Sequence, residues 1–232
     1  MNDKTLRPAC RTGRVLLVSA GLLATAFSVR AAGGHHAVDD AALLEPGQCQ
    51  VETWADREQG GARTLLHVGP ACRVGPVELA LNLDRTHLSG TGAVITAGPQ
   101  LKWATPLGKS VSVGLVVFAT GQEGAPNYLG SAVVLPVTWQ ASETWLVHVN
   151  AGRDLRHHAG DDNRAGAAVE WMPSQVLSFV AERFRESRRN FTRAGARWTV
   201  DPALSIDLSR ARSLHAGVPA WWTLGFNWTF AR

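Results

Sequence analysis

Apolar residues alternate strictly with small or polar ones through the C-terminal stretch 219–230. Trp222, Leu224, Phe226, Trp228 and Phe230 are interleaved with Thr223, Gly225, Asn227 and Thr229. A period of two places the large side chains on one face of a strand and the small ones on the other. The pattern recurs upstream. Val77, Leu79, Leu81 and Leu83 oppose Glu78, Asn82 and Asp84; Trp145, Val147 and Val149 oppose His148 and Asn150. Leu204, Ile206 and Leu208 oppose Ser205, Asp207 and Ser209, and Ala165, Ala167, Val169 and Trp171 face away from Arg164 and Glu170. After residue 47 no segment sustains an i, i+3, i+4 pattern, so no long helix is expected.

Turn signals divide the chain into about twelve strand-length runs: 48–55, 63–69, 76–85, 92–104, 110–120, 131–140, 144–152, 163–172, 175–184, 191–200, 203–210 and 219–230. Most approach the ~9–11 residues that cross a bilayer at a tilt. Short connections at 70–75, 105–109, 141–143, 173–174 and 201–202 alternate with longer, more polar ones, notably 121–130, 153–162 and 211–218. The pattern predicts an all-β fold: a closed up-and-down antiparallel transmembrane β-barrel of about twelve strands, with short periplasmic turns and longer external loops.

Tryptophan placement points the same way. Trp103, Trp139, Trp171, Trp198 and Trp228 each close an even-numbered strand, and Trp145 opens the seventh. All six then fall at the periplasmic rim, as an aromatic girdle at the membrane–water boundary. Core tryptophans of a soluble β-sandwich are the alternative, but soluble packing gives no reason for them to gather at one end of alternate strands. The opposite face supplies the expected lumen lining: Glu52, Glu78, Lys102, His148, Arg164, Glu170, Glu182, Arg193, Arg197 and Asp207. A soluble barrel would bury these charges at a cost, whereas a hydrated lumen accommodates them. Their mixed signs argue against strong selectivity for one charge.

The start of the chain changes the charge picture. Arg7, Arg11 and Arg14 precede an apolar run from Val15 to Val29, and Val29-Arg30-Ala31 suits a small-x-small cleavage site, so residues 1–31 read as a secretory signal peptide. That segment holds five of the 23 basic residues and one of the 19 acidic ones, leaving 18 of each. The net charge of +4 therefore comes from the leader and gives no reason to expect a nucleic-acid partner. Residues 32–47 read as an irregular periplasmic arm, and 48–232 as the barrel. Cys49 and Cys72 belong to an exported chain in an oxidising compartment. In a hairpin folded between Gly60 and Gly61 they face each other, which predicts a cross-strand disulfide; two unpaired buried thiols are the alternative.

Catalytic signals are lacking. There is no Gly-x-Ser-x-Gly, phosphate loop, dinucleotide fingerprint or Cys-x-x-Cys, and His148 has no convincing serine on its rim. No enzyme activity and no cofactor are expected. His35-His36 with Asp39-Asp40, and His157-His158 with Asp161-Asp162, have metal-ligand chemistry. The topology separates the two pairs, one in the arm and one in an external loop, and they serve better as solvated polar segments. Arg183, Arg185, Arg188 and Arg189 fall at the external rim, where arginine pairs with lipopolysaccharide phosphates or simply with water.

The leader, the hairpin series and the terminal 222–230 strand together resemble a small bacterial outer-membrane barrel over about residues 48–230. The final strand resembles the assembly signal of that group, although Ala231 and Arg232 follow the terminal Phe. The segment 98–103 (Gly-Pro-Gln-Leu-Lys-Trp), followed by the run 110–120, is similar to transporter barrels of the MetA-type group associated with a phenol-degradation pathway. The resemblance implies an outer-membrane location and contact with lipid, lipopolysaccharide and the barrel assembly machinery. It also implies passive passage of small solutes, with hydrophobic or aromatic compounds as the cargo of the MetA-type group. The alternatives are a structural or adhesive barrel acting through external loops, and a soluble secreted β-barrel binding an apolar ligand.

Overall fold

The structure is a computed structural model and describes residues 35–124 and 127–232; the leader read at 1–31 lies outside them. Twelve strands follow one another: β1 (Gln48–Glu58), β2 (Arg63–Val74), β3 (Val77–Leu88), β4 (Gly92–Pro106), β5 (Val111–Gln122), β6 (Tyr128–Gln140), β7 (Trp145–Arg156), β8 (Asp162–Trp171), β9 (Leu177–Glu186), β10 (Arg189–Asp201), β11 (Leu204–Ser213) and β12 (Trp221–Ala231). Each pairs antiparallel with the next, and β1 closes on β12, so the barrel has no free edge.

Several strands run further than the apolar alternation. Residues 153–156 of β7, Arg-Asp-Leu-Arg, still pair with Gly130–Val133 of β6. The backbone ladder continues through polar side chains because each hydrogen bond is made by the main chain. Connections at that end shorten accordingly: 157–161 joins β7 to β8, and 187–188 alone joins β9 to β10. In the latter turn Ser187 and Arg188 both have positive φ, 51° and 63°. This suits the twist of a two-residue hairpin but carries no glycine to announce it. The stretch 214–220 remains the longest connection.

In the β1–β2 hairpin Cys49 lies opposite Cys72, and the two form a disulfide. Gly98 in β4 answers a steric demand: a Cβ there would lie 1.7 Å from the carbonyl oxygen of Ala119 on β5. The glycine of the 98–103 segment thus lets two neighbouring backbones touch.

The barrel is apolar outside. Leu79, Leu81, Leu224 and Phe226 are all more than 40% exposed, as part of a continuous band of Leu, Val, Ile and Phe. Water-soluble monomers rarely expose so large an apolar surface, whereas lipid covers it without penalty. Trp103, Trp139, Trp145, Trp171, Trp198 and Trp228 are all exposed and sit near the ends joined by 107–110, 141–144, 172–176 and 202–203. Trp145 and Trp171 are register partners with stacked rings 5.9 Å apart.

Candidate functional site

The interior is polar, and much of it is occupied by the chain's own N-terminal arm. Residues 35–44 of the segment read as a periplasmic arm lie inside the barrel, where a barrel of this size is narrow enough for an arm to obstruct it. The cause is a series of inward polar side chains that satisfy the arm's backbone. An extended segment inside a barrel has unpaired N–H and C=O groups, and each needs a partner.

From the end near Gln48 the arm climbs the inner wall. The Leu44 N–H donates to Glu78 (3.1 Å), and Arg73 donates to the Leu44 carbonyl (2.7 Å). Asp40 accepts from Lys102 (2.7 Å) and from its own chain at the Ala42 N–H (2.9 Å). Ala41 N–H donates to the Thr138 hydroxyl (2.9 Å), which in turn contacts His148 Nδ1 at 2.9 Å. With its amide group turned to match the surroundings, Asn150 bonds both the carbonyl (2.9 Å) and the N–H (2.6 Å) of Asp39. Val38 is fully buried against Ala168, Val180 and Phe184. Gly166 makes room for it, since a Cβ there would lie 2.6 Å from Val38 Cγ2.

The tip of the arm is held by charge. The Glu182 carboxylate accepts from the N–H groups of Ala37 (3.3 Å) and Val38 (3.0 Å), pairs with Arg193 (3.2 Å) and lies 3.8 Å from His36. Arg193 also donates to the His35 carbonyl, and His35 Nε2 contacts the Ser209 hydroxyl at 2.7 Å. Arg197 forms a two-pronged pair with Asp207 (2.6 and 2.8 Å), whose second oxygen also accepts from Asn227 (2.7 Å). Burial, aided by His36, Arg193 and Arg197, holds the His35 imidazole well below its ordinary pKa, so it docks uncharged.

Between the arm and the remaining wall a cavity of about 870 Å³ stays open. Gln48, Gln50, Glu52, Trp54, Asp56 and Glu58, the whole inward face of β1, line it. Among the expected lumen residues, Glu52, Glu78, Lys102, Arg164, Arg193 and Arg197 lie on this cavity. His148, Glu170, Glu182 and Asp207 are buried on the wall, and His148 Nε2 stands 3.7 Å from Glu170. His67 was missed by the sequence analysis: it stacks on Trp54 at 3.5 Å and bonds Asp84 at 2.6 Å. It shares its inward face with Leu65 and Gly69, a row without the charged groups that marked the other inward faces.

The histidine pairs lie apart. His35 and His36 lie on the arm within the lumen, whereas His157 and His158 sit in the 157–161 connection beside Tyr128. Among the described residues no cluster of three His, Cys, Asp or Glu side chains is arranged to hold a metal ion. The four rim arginines also divide. Arg188 bonds Asp162 and the Gly160 carbonyl, Arg189 lines the lumen, and Arg183 and Arg185 belong to the outer half of β9.

The family described as Uncharacterised conserved protein UCP029691 matches residues 20–230. The chain belongs to that family. No curated protein matches the sequence. Solved structures place the UCP029691 barrel among outer-membrane folds. The KdgM porin superposes with a TM-score of 0.65 at 6% identity, over 78% of this chain and 99% of its own. The COG4313 outer membrane channel from Pseudomonas putida F1 gives 0.57 at 12% identity, over 83% and 100%. The P. putida toluene transporter TodX gives 0.54 at 9%, over 86% and 94%. At such identities the likeness concerns the fold. Together with the lipid-suited exterior it makes this UCP029691 chain a bacterial outer-membrane β-barrel.

Proposed function

We propose that the protein is an outer-membrane channel through which small solutes pass passively, along a passage left between the N-terminal arm and the β1 side of the wall. The observation that carries this is the cavity of about 870 Å³, lined from the first to the last inward residue of β1. Its walls hold acidic groups such as Glu52, Asp56 and Glu78 alongside Lys102, Arg164 and Arg197. Such a lining supports hydrated solutes with little preference for charge. Trp54 and Phe118 are large apolar surfaces within it, so an aromatic solute, the cargo implied by the MetA-type resemblance, would dock there. The short external connections give little surface for an adhesive role.

Conductance in a planar bilayer tests the proposal. The intact barrel is expected to give small, stable steps, and a variant lacking residues 35–44 much larger ones. A variant that stays heat-modifiable on gels yet conducts nothing without its arm would show that the passage is closed by the wall itself, and the channel reading would fail.

A further inference from the structure

The inward rows of β1, β2 and β3 leave a recess in the wall of the cavity. Along β2 the inward positions after His67 are Gly69 and Ala71, and Ala71 is the register partner of Ala80 on β3. These three small residues make a floor. On one side stands β1, where Glu52 is the register partner of Gly69 and Gln50 that of Ala71. On the other stand Asn82, two residues along β3 from Ala80, and Gln100 of β4, the register partner of Ala80. Polar side chains thus flank a floor that has none of its own.

The rim groups pair with one another and keep polar atoms to spare. Gln50 Nε2 donates to Glu52 (2.9 Å), and Asn82 Nδ2 donates to the Gln100 amide oxygen (3.2 Å). The sharpest signal is His67. Its side chain is only 5% exposed, its Nδ1 bonds Asp84 at 2.6 Å, and its Nε2 has no partner among the described residues. A Cβ on residue 69 would lie 2.7 Å from that Nε2 and 3.6 Å from Asn82 Oδ1, so both atoms border the space above the glycine. With Nδ1 donating to a carboxylate, Nε2 of the neutral ring is an acceptor, and a buried acceptor calls for a donor. Trp54, stacked on the imidazole, closes this end of the recess with an apolar wall.

We propose that the recess binds a neutral sugar ring. Hydroxyl groups both donate and accept, as the amides of Gln50, Asn82 and Gln100 do, and one hydroxyl hydrogen satisfies His67 Nε2. An anion would meet Glu52 and Glu78, because Lys102 and Arg197 are already held by Asp40 and Asp207. A ring without hydroxyls would desolvate His67 and the amides and leave them unpaired. The indole of Trp54 suits the C–H face of a sugar. The inference deepens the channel reading and rests on it for access to the recess.

Saturation-transfer NMR on the full barrel in a sugar-free detergent tests it, with methyl glucoside, methyl galactoside and methyl mannoside as neutral probes. At least one is expected to bind, and its 6-carboxylate and 2-amino counterparts to bind about fivefold more weakly or worse. Ala71→Leu fills the floor and is expected to weaken binding by about tenfold or more. Should that variant lose its heat-dependent gel shift, Asn82→Leu removes a rim amide at similar volume and is expected to weaken binding about fivefold. No binding of any neutral hexoside, equal binding of a charged counterpart, displacement by equimolar benzyl alcohol, or unchanged affinity in the folded variant would each overturn the proposal. Hexoside binding by a barrel that conducts nothing upholds the recess and refutes the channel reading; conductance without hexoside binding does the reverse.

Discussion

Glu182→Gln strikes the arm where its tip is held. The carboxylate is almost fully buried and accepts from two backbone N–H groups of the arm as well as from Arg193. A glutamine keeps one acceptor oxygen but turns an NH₂ toward one of those donors. It also removes the charge that Arg193 faces. A hydrogen bond to a charged group is worth about 1.5–3 kcal/mol. Undocking hydrates both Glu182 and Arg193, so we take about 2 kcal/mol as the lost preference for the docked arm. That corresponds to about a 30-fold rise in the undocked population. An Ala41→Cys background places a thiol at a buried position of the arm, out of reach of a water-soluble maleimide while the arm is docked. If reaction requires undocking, its rate follows that population and should rise by the same ~30-fold factor in the E182Q background. The heat-dependent gel shift checks that the barrel is intact. A labelling rate within twofold of the parent, in an intact barrel, would refute the assignment of Glu182 as the arm's anchor.

Gly166→Ala is expected to loosen the arm without touching its polar anchors. The new Cβ would meet Val38 Cγ2 at 2.6 Å, and overpacking of this kind costs about 1–3 kcal/mol, read in the same labelling assay. Leu224→Arg puts a charge into the lipid-facing band and should lower barrel stability by about 2–4 kcal/mol, seen as an earlier urea midpoint in bilayers. His35 docks uncharged with its pKa depressed below 6.5, so its contribution to docking is complete above that value and is lost as pH falls toward the depressed pKa. Conductance should therefore rise on acidification by a margin that His35→Gln removes, and identical pH profiles would count against it.

Much of the architecture is legible in the chain. Period-two alternation sorts β3, β7, β8, β11 and β12 into two faces, and the placement of tryptophan at the ends of alternate strands orients the barrel before any pairing is known. The Cys49–Cys72 pairing follows from hairpin register alone, because antiparallel pairing about one turn leaves a single partner for each residue. Strand ends were less legible. Beyond the apolar stretch the ladder continues on main-chain hydrogen bonds, which side-chain pattern does not report, and the Ser187–Arg188 turn lacks the glycine that usually marks such a hairpin.

The interior belongs to tertiary structure. Which residues face inward is a local property, since it follows from alternation along one strand. What meets them there is not. Glu182, Asn150, Thr138 and Glu78 come from four different strands, and only barrel closure sets them along one path on the inner wall. The arm that fills that path has no periodic pattern of its own, because its hydrogen bonds are made to side chains far away in sequence. For the same reason the juxtaposition of Arg57, Trp222 and Arg210 across β1, β12 and β11 is invisible in the chain: it forms only when the first strand closes on the last. Alternation along a strand is short-range and can be read from neighbours. Closure brings together residues more than 150 positions apart, Arg57 and Arg210 among them, and that is decided only when the barrel forms.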